Sequence, residues 1–286
     1  MASSYLPMPE PTVPKRPLSS YKLISYDIYG TLVDWETAIV RLLQPLVSRI
    51  PSSSPLSQEY QDSTTAGSEG RIKLAAKYND IEHELEAKNP SQRYDELLQD
   101  IYLRIASDFG VGEATEVSTK QEAKQFGESI GTWPPFPDTV DACQRLVRQH
   151  GFKLVPLSNV DRASFARTCA GPLQGVDFFR VYTAQDIGSY KPDLRNFEYL
   201  IKHAKEDAGV EKHEILHVAQ SIFHDHIPAK TMGLASVWIN RKGAGMGGNE
   251  AIRGIHERGE VGYGWRFGTL GELADEVERE KREQGK

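Results

Sequence analysis

Apolar residues along this chain follow two rhythms. Through much of the first half they recur at helical spacing. In "WETAIVRLLQPLVSRI" they stand at Ala38, Ile39, Leu42, Leu43, Leu46 and Val47, a stripe along one helix face. The same spacing predicts helices near 71–87 and 93–109, the second with Leu97, Leu98, Ile101, Tyr102 and Ile105 on one face. A further helix is expected over 120–130. Between the first pair, "NPSQ" reads as a turn in which Ser91 caps the following helix. The Ser-, Thr-, Gly- and Pro-rich stretch 51–70 reads as a loop.

On either side of this helical block the rhythm changes to short apolar runs alternating with helices. "KLISYD", "FKLVPLSN", "DFFRVYTAQ", "EILHVAQS" and "ASVWINR" read as strands. Between them, "DTVDACQRLVRQHG" reads as a helix capped by Asp138 and ended by Gly151. "RASFARTCAG", "LRNFEYLIKHAKEDAG" and the short "IPAKTMG" complete the alternation. Apolar strands alternating with helices predict an α/β fold, a Rossmann-like parallel sheet with helices on both faces. The expected organisation has three parts: a flexible, proline-rich N-terminal segment over 1–20, an α/β core from 21–34 and 131–286, and an all-helical insert over 35–130. The glycine-rich "ERGEVGYGWRFGTLGEL" reads as a loop before a last, charged helix.

Composition narrows the partners. With 39% hydrophobic and 26% charged residues, the chain can bury a core. Its net charge of −6, with no long basic run, argues against nucleic acid or an anionic membrane as partner. No apolar run is long enough to span a bilayer, and the N-terminus lacks the apolar stretch of a secretory signal. Cys143 and Cys169 form no disulfide framework and no metal-ligand spacing, so a reducing, cytoplasmic location is expected.

In open parallel sheets, ligands bind beyond the carboxyl ends of the strands. Those ends carry a specific set of groups. Asp27, Tyr29 and Thr31 follow the first strand, Ser158 and Asn159 the second, Lys191 the third, and Gln220, Ser221, His224 and Asp225 the fourth. A carboxylate at a strand end can attack carbon or phosphorus to give an ester that water then cleaves. A lysine ammonium opposes the effect of burial and keeps such an acid ionised. The hydroxyls of Thr31 and Ser158 and the amide of Asn159 can fix its attack angle, and a second acid, Asp225, can position or activate water.

The residues Asp27 in "DIYGTL", Ser158 in "LSN", Lys191 in "SYKPD" and Asp225 in "VAQSIFHDH", in this order, resemble the haloacid dehalogenase-like hydrolases. The resemblance covers the whole α/β part and puts the helical insert where that superfamily carries its cap. It implies that Asp27 is the nucleophile. Phosphatases of the superfamily carry a second aspartate two residues after it, to protonate the leaving alcohol. Here Tyr29 stands at that position, and a tyrosine is a poor acid. "DIYGTL" instead resembles the D-x-Y-G-T-L of the 2-haloacid dehalogenases, whose halide leaving group needs no proton.

By that resemblance Asp27 displaces a leaving group at the α-carbon of a small carboxylic acid, and water cleaves the aspartyl ester. Tyr29, Trp35, Gln220, Ser221 and His224 are the expected substrate neighbours, with Lys77, or the nearest arginine, Arg71, in the place of the cap arginine that binds the substrate carboxylate. The fourth motif departs from the family's S-x-N-x-x-D, and Phe197 stands where the dehalogenases have a tyrosine. These departures leave room for an epoxide or aziridine carboxylate, whose ring atom His224 or Tyr29 would protonate. No cofactor is expected; if Mg²⁺ binds, Asp27, the Tyr29 carbonyl and Asp225 would hold it. A Mg²⁺-dependent phosphatase and a silent relative that binds a partner through its cap are the competing readings, and the resemblance allows a homodimer.

Overall fold

The computed structural model describes residues 6–89, 92–112, 116–241 and 249–285. Ser91 lies outside them. Six strands form one parallel sheet: β1 (Leu23–Tyr26), β2 (Lys153–Ser158), β3 (Tyr182–Thr183), β4 (Ile215–Ala219), β5 (Ala235–Ile239) and β6 (Trp265–Phe267). Their order is β3-β2-β1-β4-β5-β6. Every residue of β1, β4 and β5 is buried, as expected of strands covered on both faces.

Five helices are inserted after β1: α1 (Trp35–Val47), α2 (Pro55–Tyr60), α3 (Glu69–Lys88), α4 (Tyr94–Phe109) and α5 (Val117–Glu128). They pack on one another, and their apolar stripes bury Ile39, Leu43, Leu98, Ile101 and Ile105. The remaining helices alternate with the later strands: α6 (Thr139–Arg148), α7 (Arg162–Ala170), α8 (Ala184–Ile187), α9 (Arg195–Ala208), α10 (Ile227–Thr231), α11 (Asn249–Glu257) and α12 (Leu270–Gln284). The architecture is therefore the α/β sheet with a helical insertion that the alternation predicts.

Four local readings are corrected. The stretch 51–70 is not all loop: Ser54 accepts the Leu56 amide and starts α2 with Pro55 in its first turn. "GYGWRFGT" is not all loop either, because Trp265–Phe267 adds a sixth, half-buried strand beside β5. Asp138 precedes α6 but does not cap it. Its Oδ2 accepts the Leu270 and Gly271 amides at 2.7 and 3.2 Å, so it caps α12 instead. Finally, the segment expected as a flexible lead-in is tied to the core from Leu6 onward. The Leu6 carbonyl accepts from Arg266, and the Thr12 amide donates to the Gly262 carbonyl at 2.7 Å.

Sheet order positions the site. β1 lies between β2 and β4, with Tyr26 in register with Pro156 and Val218. The residues that leave the carboxyl ends of these three central strands therefore converge, and β1 is where the connections part to opposite sides of the sheet. Among the described residues no helix is long and apolar enough to cross a membrane.

Candidate active site

Asp27 leaves β1 with its backbone amide still bonded to the Val218 carbonyl of β4. The chain then turns sharply. The Ile28 carbonyl receives the amides of Thr31, Leu32 and Val33 at 3.3, 2.8 and 3.0 Å. Gly30 has φ +99°, a backbone conformation open to glycine and strained for other residues. A side chain there would also meet Trp35 Nε1 at 3.2 Å and Gln220 Oε1 at 3.3 Å. This turn brings Thr31 back under the acid. Thr31 Oγ1 donates to Asp27 Oδ2 at 2.8 Å and accepts the Gln220 amide at 2.9 Å.

Lys191 is buried between two carboxylates. Its Nζ donates to Asp27 Oδ1 at 2.9 Å and to Asp225 Oδ1 at 2.7 Å. Burial lowers its pKa, but the two acids outweigh burial and raise it, so it stays an ammonium. Burial pushes the Asp27 carboxyl upward; Lys191 and Thr31 oppose this, the Asp225 charge adds to it, and the net direction is up. Asp225 goes the other way. Burial alone would raise it, but Lys191 and His217 hold it well below the ordinary carboxylate range.

Asn159 positions Lys191 rather than touching Asp27. Its Nδ2 donates to the Lys191 carbonyl at 3.0 Å and its Oδ1 accepts the Lys191 amide at 2.6 Å. Ser158 lines the same pocket, and its Oγ has no hydrogen-bond partner among the described residues. Ser221 accepts the His224 amide at 3.1 Å and starts a π-helical turn, Ile222–His226, that delivers Asp225 inward. Gln220, Ser221, His224 and Trp35 all line the pocket.

Three expected roles are not met. Tyr29 lines the pocket, but its hydroxyl pairs with Thr168 at 2.9 Å and burial raises its pKa, so it is no proton donor for a leaving group. Burial, helped by Lys191 and His83, lowers His224 to about 4 against the pull of Asp225. It is neutral at pH 7 and does not replace the missing acid. Lys77 is not brought to the pocket: its Nζ is paired with Asp108 at 2.7 Å. Arg71 is likewise engaged elsewhere, with Glu36 at 3.0 Å and Thr37 at 2.7 Å.

Two groups of residues join the site without having been foreseen. His217, wholly buried on β4, donates from Nε2 to Asp225 Oδ1 at 2.9 Å, while its Nδ1 meets Ser25 at 3.2 Å. A lone histidine inside the apolar run "ILHVA" was its signal. Glu82 and Glu86 of α3 and Tyr94 of α4 close the pocket from above. The i, i+4 spacing of Glu82 and Glu86 on a charged helix looks like an ordinary solvated face.

As a metal site the expected set offers two acids that share the Lys191 ammonium, with Asp225 Oδ2 their one oxygen unpartnered among the described residues. Lys191 already bridges Asp27 and Asp225, Asp225 Oδ1 accepts from two donors, and the neutral Gln220 adds no charge nearby. Among the described residues no group of three or more His, Cys, Asp or Glu side chains is arranged to hold a metal ion.

What the arrangement can do is nucleophilic: a desolvated carboxylate, oriented by one hydroxyl and one ammonium, faces a small cavity of about 70 Å³. Known structures share this fold at low identity. A dehalogenase crystal structure superposes with a TM-score of 0.65 at 18% identity, over 89% of this chain and 96% of that one. The L-2-haloacid dehalogenase from Xanthobacter autotrophicus with chloropropionic acid covalently bound gives 0.60 at 16%, over 90% and 98%. The putative HAD-hydrolase YfnB from Bacillus subtilis, bound to magnesium, gives 0.60 at 17%, over 90% and 99%. No curated protein matches the sequence. The family model described as haloacid dehalogenase-like hydrolase matches residues 21–225, a span that holds Asp27, Lys191 and Asp225. The chain belongs to the haloacid dehalogenase-like hydrolases.

Proposed function

We propose that this hydrolase displaces a leaving group from carbon through an aspartyl ester on Asp27, without a metal, as the resemblance to the 2-haloacid dehalogenases implies. The observation that carries this reading is the pairing at positions 27 and 29. Asp27 has both oxygens held by donors, Thr31 and Lys191, while the residue two places on turns its hydroxyl to Thr168. A phosphate ester would need an acid there to protonate its leaving alcohol. A halide needs none.

In the proposed cycle an Asp27 oxygen forms a C–O bond as the carbon–halide bond breaks, and the halide leaves with the electron pair. Water then adds to the Asp27 carboxyl carbon, the alcohol product departs, and the carboxylate is restored. Lys191 and Thr31 orient the nucleophile and stabilise the charge that develops on its oxygen during ester hydrolysis. Asp225 Oδ2 is buried with no hydrogen-bond partner among the described residues, which suits it to hold the incoming water. The low pKa direction of Asp225 makes it a positioner of that water more than a base.

For a carboxylic acid as substrate, the expectation taken from the family, the pocket lining offers no lysine or arginine besides Lys191 among the described residues. Lys77 and Arg71 are both committed outside the pocket. The test of the reaction is single turnover in ¹⁸O-water with 2-chloropropionate and other small organic halides. Label appearing in the Asp27 carboxylate, with halide release that persists in excess EDTA, is the expected result. Label found only in the product, or activity that requires Mg²⁺, would refute it.

A further inference from the structure

The ceiling of the pocket offers an anionic substrate two acids and, among the described residues, no cation. Glu82 and Glu86, one turn apart on α3, both line it, together with Asp27 and Asp225. Among the described residues Lys191 is the one lysine or arginine that lines this cavity, and both of its short contacts go to Asp27 and Asp225. Glu82 Oε1 accepts from the hydroxyls of Tyr78 at 2.9 Å and Tyr94 at 2.5 Å, which fix the carboxyl in place without a counter-ion, and burial pushes its pKa up. Neither glutamate forms an ion pair with a described lysine or arginine, although Glu84, on the same helix, pairs with Lys88 and Arg104. Burial, with the Glu82 charge as a second cause, pushes the Glu86 carboxyl up to about 8, as befits an acid without a counter-ion.

A second observation points to a ligand in the same cavity. Ser158 is 3% exposed, lines the pocket, and its Oγ has no hydrogen-bond partner among the described residues. Buried hydroxyls rarely go without one. The cavity thus presents an unused hydroxyl at its floor and two uncompensated carboxyls at its ceiling.

We infer that the site takes a small substrate bearing a protonated amine, its ammonium held by Glu82 and Glu86 beneath α3 while its electrophilic carbon faces Asp27. The placing of the carbon rests on the displacement reading above; the capture of the ammonium does not. An ammonium donates three hydrogen bonds and supplies the charge that the two glutamates lack. A carboxylate in the same place would meet two acids and find no free cation.

The test separates binding from chemistry. Calorimetry at pH 9, above the Glu86 value of about 8 and below that of an alkylammonium, with propylammonium and with propionate, neither of which carries a leaving group, reads the site alone. Propylammonium should bind at least tenfold more tightly than propionate, and Glu86→Gln should weaken it at least fivefold with the circular dichroism spectrum unchanged. Glu82→Gln, which retains an acceptor for Tyr78 and Tyr94, serves as the second variant and should weaken it likewise. Equal or tighter binding of propionate, no binding of propylammonium, or amine affinity that changes less than fivefold in both variants would overturn the inference. Chloride release from 3-chloropropylamine and 3-chloropropionate then tests the reaction. Amine binding with no chloride from either compound keeps the ammonium site and removes the displacement reading.

Discussion

Thr31 makes two bonds through one hydroxyl. It donates to Asp27, the proposed nucleophile, and accepts the Gln220 amide where β4 ends. Thr31→Val keeps the shape but leaves that amide and one Asp27 oxygen without a partner. A buried donor left unsatisfied costs about 1–3 kcal/mol, and urea denaturation should show a loss in that range. The pH profile should move as well. In the proposed cycle Asp27 attacks as a carboxylate, and its pKa lies above the ordinary carboxylate value because burial and Asp225 outweigh Lys191 and Thr31. Activity should therefore fall as pH drops through that raised value. Removing the Thr31 donor destabilises the ionised form, so the acid limb of kcat/KM should shift to higher pH in Thr31→Val and return in Thr31→Ser. A limb that stays in place in Thr31→Val would show that Thr31 does not act on the nucleophile. Asn159 gives a contrasting case. Asn159→Ala frees the Lys191 backbone but touches no reacting atom. It should lower kcat about 10–100-fold, as misplacement by roughly 1 Å does, with the acid limb unchanged.

At the scale of elements, α3 carries both what the sequence shows and what it hides. Its residues were expected as a helix, and Leu74, Tyr78 and Ile81 are buried on one face. That Glu82 and Glu86 belong to the pocket could not be read from spacing, because a solvated helix face has the same pattern. The distinction arises only when α3 lies over the sheet edge. His217 was more legible, as a polar residue in a strand that is otherwise apolar and wholly buried. Short elements were lost for a different reason: β6 has three residues and α2 has six, too few for a period to emerge among glycines and serines. The placement of Glu86 has a consequence for stability. Its folded pKa, raised to about 8, exceeds the value near 4.5 of an unfolded glutamate. Between those values the folded chain holds a proton that the unfolded chain has lost. Stability should then decline as pH rises from about 4.5 to 8 and level off above, the opposite of a salt-bridged acid. Glu86 is partly exposed, which moderates the slope. Scanning calorimetry across that range should give a smaller decline in Tm for Glu86→Gln than for the native chain; parallel curves would show that the carboxyl is solvated.

Across the whole molecule, the turn after Asp27 is braced by segments far apart in the chain. Arg241, just after β5, donates from Nη2 and Nε to the Thr31 carbonyl at 2.9 and 3.2 Å. Its Nη1 pairs with Asp138 at 2.5 Å, and Asp138 in turn caps α12. The four strand-end motifs are visible in the sequence because each sits beside an apolar run. This brace is not, because Arg241 and Asp138 look like any charged residues near an element's end until the sheet closes. The brace couples the stability of the C-terminal half to the geometry of the Asp27 turn. Arg241→Met removes the cation and leaves Asp138 half-paired in a largely buried setting. The expected loss is about 3 kcal/mol, at the low end of the range for broken buried pairs because Asp138 keeps some exposure to solvent. The same change frees the Thr31 carbonyl, so kcat should fall while KM changes little. Adding Asp138→Asn relieves the uncompensated charge but restores nothing to Thr31. The double variant should therefore regain part of the stability, read by urea denaturation, and none of the lost kcat. If kcat recovered together with stability, Arg241 would serve the fold alone, and the bond to the Thr31 carbonyl would have no part in holding the nucleophile.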